Sequence, residues 1–123
     1  MVIHIDFDSS EALYLQLRNQ IIVGIATSEL SEGENLPSVR ELAEDIGINM
    51  HTVNKAYSIL KQEGYLKLDR RNGAVVAVVI DALKAREEMM NELRVTLAKA
   101  CCKGISEEEA HVMVSKIYER YQL

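Results

Sequence analysis

Between Ser38 and Gly64, residues that start or stop helices stand at spacings that leave room for two short helices joined by a tight turn. Ser38 and Glu41 form an S-x-x-E capping box, in which hydroxyl and carboxylate satisfy the free donors of a helix start. Val39, Leu42, Ala43 and Ile46 follow with the apolar spacing of a helix, and Gly47 ends it. Asn49 caps the next helix, which runs to about Glu63, with Val53, Ala56, Tyr57 and Leu60 as its buried stripe. Gly64 stops it. At about 100° per residue, the face opposite Val53 holds His51, Lys55, Ser58 and Gln62, flanked by Thr52 and Asn54. Two such helices describe a helix-turn-helix: Ala43 is small where the helices cross, Gly47 makes the turn, and Val53 anchors the second helix.

The flanking segments extend this unit. Leu13, Leu17, Ile21 and Ile25 recur at intervals of four, with Tyr14 and Ile22 alongside. This spacing predicts an amphipathic helix over 9–28, capped by Ser9 or Ser10. Residues 29–37 contain the chain's only proline and read as a connection. After Gly64, Tyr65–Asp69 alternates apolar and charged residues, and Ala74–Ile80 is a β-branched run. Asn72-Gly73 between them predicts a hairpin with a type I′ turn and places Arg70 and Arg71 at its tip. A hairpin following a helix-turn-helix is a wing. The expected division of labour has the second helix read base edges while the wing and helix starts hold phosphates.

From Asp81 onward the pattern changes to two long helices. Leu83, Met90, Leu93, Leu97 and Ala100 follow a rough heptad, Gly104 breaks it, and Ser106 with Glu109 opens a helix carrying Ala110, Met113, Val114, Ile117 and Tyr121. Two helices of this kind cannot cover both stripes by themselves, so a second copy is the natural partner. The dimerisation residues are therefore expected to be Leu83, Met90, Leu93, Leu97, Met113, Ile117 and Tyr121. The Met89-Met90 pair and Tyr118 with Tyr121 read as dimer core and not as a cofactor box. The fold class is α+β, mainly helical: a winged helix-turn-helix over 1–80 and a two-helix dimerisation region over 81–123.

Composition narrows the function. At 123 residues the chain has room for one modest core, which leaves no space for a large catalytic fold. It offers no Ser/His/Asp set, paired-carboxylate site or phosphate-binding glycine loop, so an enzyme is not expected. Cys101 and Cys102 are adjacent, and His4, His51 and His111 lie far apart, so neither a disulfide framework, a metal nor a cofactor is expected. Without a spanning run or the basic start of a signal peptide, the expected location is cytoplasmic, off the membrane. The net charge of −5 opposes nucleic acid, but its distribution does not. Residues 6–45 carry nine acids and two bases, whereas 46–73 carry five bases and two acids. An anionic partner would meet the second stretch first.

The run Leu36-Pro37-Ser38-Val39-Arg40-Glu41-Leu42-Ala43, then Ile48-Asn49-Met50-His51-Thr52-Val53-Asn54-Lys55-Ala56-Tyr57, then Leu60-x-x-Glu63-Gly64, resembles the GntR family of bacterial transcription regulators. The short tail and the Asn-x-x-Thr-Val-x-Lys-Ala-Tyr wording are similar to its YtrA-like subfamily. The resemblance covers about residues 9–80 specifically and the tail loosely. It implies DNA contacts from Ser38 and Arg40, from Asn49, His51, Thr52, Asn54 and Lys55, and from Arg70, Arg71, Asn72 and Gly73. Met50 and Asn54 stand where many members place Arg, and the Gly-rich wing is reduced to Gly73. The binding mode therefore carries over further than the base preference. The resemblance implies a homodimeric repressor on an inverted-repeat operator, its recognition helices roughly 34 Å apart in successive major grooves. An unknown small-molecule effector is compatible with this reading. The alternative is a winged-helix protein-interaction module, its acidic residues between Glu29 and Glu44 meeting a basic partner.

Overall fold

The computed structural model describes residues 2–71 and 73–121, which form two compact units, Met1–Val79 and Ile80–Leu123. In the first unit the order is α1 (Leu13–Ala26), α2 (Val39–Ile46), α3 (Met50–Gln62), β1 (Leu66–Asp69) and β2 (Gly73–Val76). The second contains α4 (Ala82–Cys102) and α5 (Glu107–Tyr121). Mainly helical α+β architecture, with a winged helix before a helical region, is what the sequence implied.

The first unit is organised around α3, which packs against α1, α2 and β1. Val53, Ala56 and Leu60 are fully buried and meet Leu17 and Ile21 of α1, Leu42 and Ala43 of α2, and Leu66 and Val76 of the hairpin in one core. Each large apolar side chain so buried contributes about 1.5–3 kcal/mol of transfer free energy. The helix ends follow local chemistry. Ser38 Oγ accepts the Glu41 N–H at 3.1 Å and its hydroxyl donates to Glu41 Oε1 at 3.2 Å, while Gly47 closes α2 in the left-handed region at φ 72°.

Three local features differ from the sequence expectation. Helix α1 starts at Leu13 with Ala12 as its cap residue, not Ser9 or Ser10, and no side chain caps it. A long-range device takes over: buried Gln16 accepts the Asp6 N–H and donates to the Asp6 and Glu11 carbonyls. Gln20 makes the same two-sided contact with the backbone of His4. These amides tie the N-terminal segment to α1, much as a neighbouring strand would.

The connection 29–37 is also more ordered than its composition suggests. Leu36 N–H donates to Ala74, Gly33 to Val76, and Val76 back to Glu34, so this segment runs beside β2 and bridges it at Asn35–Val75. The hairpin pairs Leu66 with Val76 and Asp69 with Gly73. Three residues, not two, therefore connect its strands, and β2 ends at Val76 instead of continuing to Ile80. Asp69 Oδ1 accepts the Arg71 N–H at 2.7 Å, an Asx turn that opens the tip, and Gly73 adopts φ 72°. Asn72, expected to share the turn with Gly73, lies outside the described residues.

In the second unit, Asp81 caps α4 by accepting the Lys84 N–H, and Ser106 Oγ accepts the Glu109 N–H at 3.1 Å before α5. Glu107, Glu108 and Glu109 in the first turn of α5 complement its dipole. Neither helix has a buried residue among those described, and the two do not share the close packing that joins α1 to α3. Leu83, Met90, Leu97, Met113 and Ile117 are exposed, whereas Leu93 and Tyr121 are half-buried. No helix among the described residues is long and apolar enough to cross a membrane.

Candidate nucleic-acid interface

The surface expected to carry function is built on α3, whose placement depends on both its ends and its centre. Asn49 Oδ1 accepts the His51 N–H at 2.7 Å, fixing the first turn. In the middle, the Tyr57 hydroxyl donates to the Pro37 carbonyl at 2.8 Å, tying α3 to the residue before the cap of α2. Burial of that phenol and the nearby Glu41 carboxylate both push its ionisation well above the usual range, so it remains a donor. At the far end Arg18 of α1 approaches Glu63 at 3.7 Å. With Val53, Ala56 and Leu60 buried underneath, the outward face of α3 cannot rotate without breaking the core.

That face carries the residues expected on it. His51, Asn54 and Lys55 are exposed and Thr52 is half-buried. Asn49, His51 and Asn54 line one shallow hollow with Val39 of α2, the elbow where the two helices meet. Met50 completes this hollow at 45% exposed. Sequence reasoning noted Met50 only as a departure from a pattern; an apolar residue in an otherwise polar first turn was the available signal. Lys55 is directed elsewhere, its ammonium lying 3.9 Å from the centre of the Tyr14 ring on α1.

The remaining candidates sit at the edges. Ser38 is exposed at the start of α2 with its hydroxyl engaged in the cap, and Arg40 is exposed in the first turn of the helix. An Arg40–Glu44 pair, the bland reading of that arginine, is not found among the described residues. On the wing, Arg70, Arg71 and Gly73 are exposed. Polar hydrogen-bonding groups on an exposed helix, framed by guanidinium groups on a hairpin, are chemically suited to base edges and phosphates. No group of His, Cys, Asp and Glu that could hold a metal occurs among the described residues.

Comparison with known proteins agrees with this geometry. Residues 10–76 match the model of bacterial regulatory proteins of the gntR family. The transcriptional repressor YtrA of Bacillus subtilis is 31% identical, over 94% of this chain and 92% of that protein. Among solved structures, a transcriptional antiterminator from Listeria monocytogenes superposes with a TM-score of 0.89, at 26% identity over all of this chain and 95% of that one. YtrA from Sulfolobus acidocaldarius, a GntR-family transcription factor, gives 0.68 at 39% identity over 83% and 99% of the two chains. The AraR DNA-binding domain in complex with operator ORE1 gives 0.51 at 26% identity over 60% and 93%. These relatives are regulators, not enzymes, and the chain belongs to the GntR family of bacterial transcriptional regulators, its winged helix being the DNA-binding domain of that family.

Proposed function

We propose that the chain is a cytoplasmic, homodimeric repressor that binds an inverted-repeat operator, reading bases with the outward face of α3 and holding phosphates with Arg40, Lys55, Arg70 and Arg71. The observation that carries the reading is the division of α3 itself. Val53, Ala56, Tyr57 and Leu60 are buried, while His51 and Asn54 face out at the hollow of the α2–α3 elbow and Lys55 is exposed on the α1 side. A solvated polar stripe would account for the polarity, but not for the basic wing and the family match on the same unit.

The dimer is supported by the tail. Leu83 at 69% exposed, Met90 at 54% and Ile117 at 50% belong to stripes that none of the described residues of the same unit buries. A second copy covers such stripes, and two tethered heads bind an inverted repeat more tightly because the second contact becomes intramolecular. The repressor name of the B. subtilis relative supports the sign of regulation.

Fluorescence anisotropy with DNA from upstream of the chain's own gene, beside a scrambled duplex and at several salt concentrations, tests the reading. Operator-specific binding with a steep fall of log K against log salt is expected. Absence of binding at low salt would reject it in favour of the protein-interaction module.

A further inference from the structure

Lys55 and Tyr14 form a contact between α3 and α1 to which the family resemblance assigns nothing. The ammonium nitrogen is 3.9 Å from the ring centre, well inside the range at which a cation is held by an aromatic face. Tyr14 is half-buried and packs against the core, so its ring is a fixed platform, whereas Lys55 is exposed and would otherwise sample many rotamers. The contact lies on the α1 side of the recognition helix, away from the elbow hollow bounded by His51 and Asn54. An ammonium held over a ring keeps N–H donors free on its other side, and as a compact point charge it suits a phosphate oxygen better than the paired acceptors of a base edge.

We infer that Tyr14 is a positioning residue for DNA binding: its ring holds Lys55 at the α1 flank of α3 as a phosphate contact, leaving base reading to His51 and Asn54. This rests on the DNA-binding reading above. The gain is one of preorganisation. A lysine already restricted to the flank loses less conformational freedom when the backbone arrives, an effect of about two- to tenfold in affinity for one long side chain. Because phosphate contacts carry no sequence information, operator and scrambled DNA benefit alike.

A double-mutant cycle measured by anisotropy on the full chain tests the assignment. Lys55→Ala is expected to lower the slope of log K against log salt by about 0.9, the counterion release of one phosphate. Tyr14→Leu should weaken binding to both DNAs by about two- to tenfold with the slope retained, since Lys55 still reaches its phosphate. Tyr14→Phe, which keeps the ring, should restore wild-type affinity. In the Lys55→Ala background, Tyr14→Leu should add nothing. Additive losses, or failure of Phe to rescue, would overturn the assignment, because a merely structural role for Tyr14 persists without Lys55. An NMR comparison of the free protein gives an independent reading: the Lys55 side-chain resonances should carry a ring-current shift that Tyr14→Leu abolishes. Its absence in the wild type contradicts the platform. Its presence in a protein that binds no DNA would retain the contact while rejecting both the role in DNA binding and the reading on which that role rests.

Discussion

Replacing Tyr57 by Phe removes one oxygen from the centre of the first unit. The phenol is 2% exposed and its hydroxyl donates at 2.8 Å, the optimal length for an O–H···O bond, to the Pro37 carbonyl. The variant keeps the ring and its packing, loses the bond and leaves the carbonyl without this donor, a cost of about 1.5 kcal/mol. For a unit of this size that lowers Tm by about 6–12 °C. The pH dependence supplies a second test. Burial and Glu41 raise the phenol's folded-state pKa above its unfolded value near 10, so the tyrosine's contribution to stability is fully present below pH 10. Above that pH the unfolded state releases the proton first, and about 1.4 kcal/mol of stability is lost per pH unit. The gap between wild type and Tyr57→Phe should therefore be full at pH 7–9 and close to nothing at pH 11. Denaturant unfolding followed by circular dichroism measures both. A neutral-pH Tm within about 2 °C of wild type, or a gap that widens above pH 10, would refute the reasoning.

Other perturbations separate the elements. Gly47→Ala meets no atom within 4 Å of the added Cβ, so its cost of about 1–2 kcal/mol comes from the positive φ alone, and urea unfolding should show it with an unchanged m-value. Ser38→Ala should cost about 1 kcal/mol by removing the α2 cap, measured the same way. Leu97→Glu places a charge in the exposed tail stripe and should convert the proposed dimer to monomer in sedimentation experiments while leaving the first unit's Tm unchanged. His51→Ala should alter base preference in a binding-site selection more than it alters the salt slope.

What the sequence disclosed was local. Ser38, Glu41, Gly47, Asn49 and Ser106 act within a few residues of themselves, and their caps and stops stand where spacing placed them. The buried stripe of α3 was legible because helical period alone decides which residues share a face. Interactions across sequence were not. Gln16 and Gln20 reach back to Asp6 and His4, Tyr57 reaches Pro37, and Glu34 bonds to Val76; none of these pairs has a spacing rule. Ser9 and Ser10 look like caps but lose to a start at Leu13, because the N-terminal segment is held by glutamines instead. The exposed polar face of α3 was legible as a face, while the diversion of Lys55 to Tyr14 depended on where α1 crosses α3.

The central claim is that two copies present two recognition helices to a two-fold symmetric operator. Selection of binding sites by the full chain from a random duplex library, followed by sequencing, tests it most directly. The account predicts an enriched inverted repeat with half-sites one helical turn apart, about 10 base pairs centre to centre. Enrichment of a single asymmetric half-site would contradict the dimeric mode, and a pool with no enriched sequence would contradict sequence-specific binding itself.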